Sequence, residues 1–387
     1  MAGDASQPVI AVCANQAWNL VNFRSGLIEG LIANGFAVHA LAPPDPAMER
    51  QLADLGCAFT PVAIDAAGLA PHRDLATLLQ LLRVLIQLRP AALLSWTIKP
   101  NVYGALAAGL LDIPALPNVS GLGTAFIRRN LITRIAQQLY RVGFRRAPTV
   151  FFQNHDDREE FVAGHLVKAH QARILPGSGI NPDIWSPPRG GRPGPRRFLM
   201  LARVVADKGV REYVEAARAI RAQWPDARFV LMGETGVANR TAIPLEEVRS
   251  WTHDGLIEYL PAQADVRPHI AAADFIVLPS YREGLSRVLL EAAAMGRPIV
   301  TTDVPGCRDI VTNGVNGFLC EPRNAGSLSL ALRHAAELDD QGWERMAAAG
   351  RSQVLSNFSQ ERVTALYLQA LIDAGVKVPE IQTGRRT

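Results

Sequence analysis

The chain has 387 residues, 48% of them hydrophobic and 20% charged, with a formal net charge of +4. That length allows two or three domains with an ample core, and the composition excludes a disordered or low-complexity protein. No apolar run reaches the ~18 residues of a spanning helix, and residues 9–13 are too short, and lack the basic flank, for a signal peptide.

Val9 to Cys13 reads as a first strand, followed by a helix from Asn19 to Asn34 that Gly35 closes. Val38 to Ala42 is a second strand, stopped by Pro43-Pro44. Leu75 to Leu88 is an amphipathic helix ending before Pro90; Ala92 to Trp96 is a strand, and Tyr103 to Leu111 a helix. This alternation predicts an α/β fold: a parallel sheet with helices on both faces. From Ile113 to His155 there is no Asp or Glu, whereas Arg128, Arg129, Arg134, Arg141, Arg145 and Arg146 crowd the segment. Such an excess suits an anionic partner, or is simply a solvated helix face.

Around Gly177 the texture changes to a Pro/Gly/Arg-rich stretch that reads as a linker. A second alternating set begins at Phe198 to Ala202. Its further strands are Phe229 to Met232, Ile257 to Leu260, Phe275 to Leu278 and Ile299 to Thr301. Leu355 to Ile372 reads as the last helix and Val376 to Thr387 as a loose tail. The cysteines are scattered without a CxxC pair. Cys13, Cys57 and Cys320 sit in apolar settings and read as core thiols, which fits a reducing cytoplasm.

The chemistry concentrates between Asp274 and Thr301. Strand Phe275–Leu278 is followed by a turn holding Pro279, Ser280 and Gly284, then by a helix over Val288 to Met295. In parallel sheets ligands sit at the carboxyl ends of strands, and a helix start there suits a phosphate. Glu283 lies in the loop and Glu291 about two turns later, each able to accept hydrogen bonds from sugar hydroxyls. The unit reads as a nucleotide-sugar pocket. Arg203 and Lys208 follow the first strand of the second half, where two cations can neutralise a diphosphate. Taken alone, Asp207-Lys208-Gly209 serves equally well as an ordinary surface turn.

These motifs together resemble the retaining glycosyltransferases of family 4, which have the GT-B fold. Glu283 and Glu291 match the E-x7-E signature, Arg203 and Lys208-Gly209 the phosphate clamp, and Gly314-Val-Asn-Gly317-Phe318 follows downstream. Asn22-Phe23-Arg24, Thr97-Ile98-Lys99-Pro100-Asn101 and Gly121-Leu122-Gly123 resemble the subgroup that builds bacterial surface polysaccharides and lipid-linked oligosaccharides. The resemblance covers roughly residues 8 to 372 and implies two Rossmann-like domains facing a central cleft. Residues 1–178 would form the acceptor-binding domain, 179–197 a linker and 198–356 the nucleotide-sugar-binding domain. Residues 357–374 would form a helix returning to the N-terminal domain, and 375–387 a flexible tail.

By the same resemblance, Glu283, Arg203 and Lys208 serve catalysis, Glu283 touching donor-sugar hydroxyls and Glu291 the ribose. Gly233, Glu234 and the amides of Gly284, Leu285 and Ser286 border the donor. Arg24 would hold an acceptor phosphate, its alternative being a capped surface turn. Lys99 would also meet the acceptor, its alternative being a surface lysine. The implied substrates are a nucleotide sugar, UDP-linked by expectation, and a lipid-linked saccharide. The implied location is the cytoplasmic face of the membrane, docked through 126–146. No D-x-D pair or metal-ligand spacing appears, so no essential metal or other cofactor is expected.

Two departures matter. Leu260-Pro261-Ala262 stands where many relatives have a glycine near the base, and Ser120 to Gly123 lacks the histidine many place near the donor sugar. His155, His165 and His170 read as surface residues or N-caps. A GT-B epimerase is the alternative enzyme, and would need acid/base groups that this sequence scarcely offers. A Rossmann oxidoreductase would need G-x-G-x-x-G after the first strand, and Ala11 to Asn19 has none. A binder that keeps the pocket without turnover is the non-enzymatic reading.

Overall fold

The protein is described by a computed structural model covering residues 7–65, 70–122, 131–194 and 196–379. Two compact units emerge: residues up to 179 together with those from 360 onward, and residues 180–359.

The first unit is built on seven parallel strands: β1 (Val9–Cys13), β2 (Ala37–Ala42), β3 (Ala58–Pro61), β4 (Ala92–Trp96), β5 (Ala115–Val119), β6 (Val150–Phe152) and β7 (Ala172–Ile174). Their spatial order is β3-β2-β1-β4-β5-β6-β7. Val12 on β1 lies opposite Ala40 on one side and Leu94 on the other. Side chains alternate across the sheet, so Ile10, Val12 and Leu94 feed one core while Ala11, Cys13 and Leu93 feed the other. Strand order reverses between β1 and β4, which makes the carboxyl ends of those two strands the natural ligand position.

The second unit repeats the plan with six parallel strands: β8 (Arg197–Leu201), β9 (Arg228–Met232), β10 (Glu258–Leu260), β11 (Phe275–Leu278), β12 (Ile299–Thr302) and β13 (Gly317–Cys320). Their order is β10-β9-β8-β11-β12-β13, so the switch point falls between β8 and β11. Phe198, Phe229 and Phe275 stack beneath it, with ring centroids 4.9 and 6.0 Å from that of Phe198. These are the two Rossmann-like sheets of a GT-B chain.

Residues 180–197 are part of the second unit rather than a free linker. Arg192 grips fully buried Asp274 with the Nε and Nη2 groups of one guanidinium edge, at 2.8 and 3.0 Å, and donates from Nη1 to Leu338 O. A buried carboxylate needs such a partner, and the pairing fastens the segment. The helix expected over Leu355–Ile372 is two helices, Asp340–Asn357 and Gln360–Asp373. At the break, Phe358 O accepts from Ile180 N at 2.8 Å and Ser359 bridges to Ile180. Phe358 is buried, so the apolar period runs unbroken across the join and hides it in the sequence. The last helix lies in the first unit beside helix Ala17–Ala33, burying Tyr367 against Phe151 and Trp96.

Candidate active site

The site residues of the second unit gather at its switch point. The β8 loop carries Arg203 and a short 3-10 turn, Ala206–Lys208, and the β11 loop carries Glu283. Three contacts fix one loop on the other. Tyr281 N donates to Asp207 O at 2.9 Å, Lys208 Nζ pairs with Glu283 Oε1, and Gly209 sits against Pro279. Gly209 has φ +75°, and a Cβ there would lie 2.1 Å from Pro279 O, so only glycine lets the loops close up. Lys208 is thus no loose surface charge: its side chain is 21% exposed and that of Glu283 14%. Arg203 is exposed and makes no ion pair among the described residues.

Helix Arg287–Ala294 starts from the same loop. Its first N–H groups have no partner within the helix and carry the positive end of its dipole. The preceding amides are partly committed. Glu283 N donates to Pro305 O at 3.2 Å and Ser286 N to Gly306 O at 3.0 Å. Ser286, expected to offer its amide to the donor, therefore spends it on the loop after β12. Gly284 and Leu285 stand half-buried at the turn.

Glu291 is buried, and Arg287 Nε donates to its Oε1 at 2.8 Å from one turn earlier. Burial raises the Glu291 pKa above that of an ordinary glutamate, and the Arg287 charge and hydrogen bond offset only part of the rise. Arg287 was missed in the sequence, although its i,i+4 spacing to Glu291 is a legible signal. Behind the loop, Cys307 is buried and its thiol is pushed up to about 12, first by burial and then by the nearby Glu283 charge.

Gly233 follows β9. A Cβ there would fall 1.7 Å from Ala202 O, which ties the β9 loop to the backbone just before Arg203. Glu234 is exposed, and its carbonyl accepts from Val204 N. Tyr281 adds a second polar knot: its hydroxyl donates to Glu212 at 2.6 Å, and Arg323 lies 4.6 Å over its ring. Burial and Glu212 both raise its pKa.

Arg24 and Lys99 belong to the first unit, near the carboxyl ends of β1 and β4. Arg24 is buried, its guanidinium 4.8 Å over the Trp96 ring and 3.5 Å from Ser120 Oγ, so it does not cap a surface turn. Lys99 pairs with Asp74 at 2.8 Å, and both side chains are nearly enclosed, which removes the surface-lysine reading. Tyr103 joins them. Its pKa is pushed up to about 12 by burial and by the Asp74 charge and hydrogen bond. The approach to this cluster is unusual. Thr97 has φ +70°, a conformation β-branched residues avoid, and Pro100–Gly104 is a π-helical turn. Both features concentrate at functional sites.

In the basic segment, Gly123, Phe126, Ile127, Arg128 and Arg129 lie outside the described residues. Arg141 donates to Gly164 O and His165 O, and Arg146 to Gly109 O, so these two arginines also brace the fold. Tyr140 and Phe144 of the expected apolar stripe are core residues. His155, His165 and His170 are all exposed, and the cap before His155 is Asn154.

Comparison with known proteins agrees with the fold. Residues 22–177 match the model described as glycosyl transferase 4-like domain, and residues 195–337 that of glycosyl transferases group 1. The N,N'-diacetylbacillosaminyl-diphospho-undecaprenol alpha-1,3-N-acetylgalactosaminyltransferase of Campylobacter jejuni is 28% identical, over 93% of this chain and 96% of its own length. The UDP-Gal:alpha-D-GlcNAc-diphosphoundecaprenol alpha-1,3-galactosyltransferase of Escherichia coli is 21% identical, over 78% and 81%. Among solved structures, Anabaena HepE in complex with UDP and glucose superposes with a TM-score of 0.77 at 17% identity, over 95% of this chain and all (100%) of that one. With two Rossmann-like sheets, Arg203, Lys208 and two glutamates gathered at one switch point, and family matches across both units, the chain belongs to the GT-B glycosyltransferases of family 4.

Proposed function

We propose that the protein is a retaining glycosyltransferase that moves a hexose or N-acetylhexosamine from a UDP-linked donor to a lipid-linked saccharide during surface-glycan assembly. One observation carries this reading: Lys208 pairs with Glu283 and Arg287 with Glu291 at the switch point of the second unit, beside the start of helix Arg287–Ala294. An anion at that start would meet the helix dipole and draw on Lys208 and Arg203. In this reading Glu283 accepts hydrogen bonds from the donor sugar and Glu291 from the ribose.

The bond from the sugar to the diphosphate breaks as negative charge builds on the leaving oxygen. Arg203 and Lys208 stabilise that charge, which lowers the barrier without a protein nucleophile. The departing diphosphate takes the acceptor proton on the same face, so configuration is kept. The relatives support the substrate class. The names of the Campylobacter and Escherichia proteins both specify alpha products on undecaprenol diphosphate, and the latter specifies UDP-Gal. Sugar nucleotides of this kind are ordinarily alpha-linked, so an alpha product means retention. A lipid-linked acceptor also requires work at a membrane surface, and no described helix is long and apolar enough to cross one.

A thermal-shift screen of UDP-, GDP- and ADP-sugars, followed by transfer to a saccharide on a lipid diphosphate, tests the proposal. Stabilisation by a UDP-sugar and a lengthened lipid-linked glycan are expected. Stabilisation by GDP- or ADP-sugars alone would overturn the donor assignment, and epimerised donor without transfer would overturn the reaction.

A further inference from the structure

One face of the first unit's sheet is covered by a single helical layer. Helix Pro71–Leu88, the Pro100–Gly104 turn with helix Ala105–Leu110, and helix Leu131–Gly143 lie side by side and share one core. The outer face of this layer is unusually apolar. Leu75, Leu79, Ile86, Leu110, Ile135 and Val142 are 41–59% exposed, half of the twelve exposed large hydrophobics among the described residues.

The first helix shows the pattern best. Thr77, Leu81, Val84 and Leu85 face the core. Leu75, Leu79 and Ile86, spaced by 4 and 7 residues, form a narrow second stripe turned away from it, and Leu82, half-buried against the core, borders the stripe. A helix apolar on opposite sides expects an apolar partner on both. The electrostatics select the partner. Between Leu75 and His155 the only acid is Asp112, and it is engaged by Arg146. Arg83, Arg89, Arg134 and Arg145 are exposed around the stripe. Two copies of this face would bring like charges together, which disfavours self-pairing. Apolar side chains fringed mainly by arginines, with the exposed Asp112 paired to Arg146, fit the boundary between headgroups and acyl chains of an anionic bilayer.

We propose that this helical layer, centred on the Leu75–Leu79–Ile86 stripe, is the surface that docks the protein on anionic membranes. It extends the docking region well beyond 126–146. The proposal deepens the lipid-linked acceptor reading and rests on it for its biological sense, so the test keeps the two apart.

Full-length protein is sedimented with phosphatidylcholine vesicles, with and without phosphatidylglycerol, over a range of salt. A variant combining Leu75→Gln, Leu79→Gln and Ile86→Gln is run beside it, with circular dichroism and UDP binding as checks of folding. The wild type should bind the phosphatidylglycerol vesicles, release as salt rises, and bind at least ~10-fold more tightly than the variant, since affinity follows buried apolar area plus charge. A variant changing Arg83 and Arg134 to Ser should lose salt sensitivity but keep UDP binding. Equal binding by the wild type and the triple variant would overturn the proposal. So would binding indifferent to phosphatidylglycerol, or a salt-resistant dimer that only the triple variant dissolves. Transfer to a short-chain soluble acceptor is measured in parallel. For the wild type, no transfer with vesicle binding intact would sink the acceptor reading alone, and transfer without vesicle binding would sink the docking surface alone.

Discussion

Lys208 and Glu283 stand 75 positions apart in sequence yet share a direct ion pair at the mouth of the β8–β11 switch point. A cation expected to meet the leaving diphosphate and a carboxylate expected to meet the sugar hold each other directly. Each orients the other's side chain, and each keeps hydrogen-bonding capacity that a donor could use.

Lys208→Ala is expected to lower turnover by at least ~10²-fold, the scale of losing one preorganised charge-stabilising donor. It also leaves Glu283 without its counter-ion, so the thermal midpoint should fall. Adding Glu283→Gln should restore the midpoint but not the rate. Arg203→Ala should match the rate loss with no change in midpoint, because Arg203 is exposed. Steady-state rates and melting curves of the four proteins decide this, and near-normal turnover in the single-cation variants would remove the clamp from the mechanism.

The two glutamates should separate in calorimetry. Glu291→Gln weakens UDP itself, since the ribose is common to donor and product. Glu283→Gln leaves UDP nearly unchanged and impairs use of the donor sugar. Equal loss of UDP affinity in both variants contradicts this division.

Glu291 also predicts a pH dependence. Its folded pKa lies above the ordinary glutamate value because it is buried. Such a group contributes stability fully below the unfolded pKa, and the contribution is lost as pH rises through the folded value. At neutral pH the ionised form therefore costs stability, and Glu291→Gln should raise the melting temperature there relative to acid solution. Ribose binding runs the other way. It needs the carboxylate and fades as pH falls through the raised value, earlier than an ordinary glutamate would allow. The affinity ratio of wild type to Glu291→Gln, followed by titration with UDP across the acid range, should shrink as pH falls. A constant ratio would exclude the role.

Gly306 has φ +77°, and a Cβ there would lie 2.6 Å from Glu283 O and 2.7 Å from Gly284 O. Gly306→Ala must push the Glu283 loop away, at a cost of about 1–3 kcal/mol. The expected result is a lower thermal midpoint and a raised KM for the donor. An unchanged KM would mean that the loop after β12 does not shape the site.

Much of this arrangement was legible in the sequence, for physical reasons. β1, β4, β8 and β11 are buried apolar runs of four or five residues and stood out at once. β3, β5, β6, β7 and β13 did not. β6 and β7 are three residues long, and β5 holds Pro117, which usually argues against a central strand. The proline is tolerated because β5 pairs with β6 only from Asn118 onward. Glu283 and Glu291 were marked by their spacing around a helix start. The pairings Lys208–Glu283 and Asp74–Lys99 were not, because partners that tertiary folding brings together leave no periodic trace. Sequence likewise hid the burial of Arg24, since a helical arginine is usually solvated.

The most direct test of the central claim is the anomeric configuration of the product. The protein is incubated with the alpha-UDP-sugar that stabilises it and a short-chain lipid-diphosphate saccharide, and the new linkage is read from the anomeric proton coupling by NMR. An alpha linkage, formed far more slowly by the Lys208→Ala and Glu283→Gln variants, is the predicted result. A beta linkage, or free sugar and UDP with no new glycosidic bond, would contradict a retaining transferase.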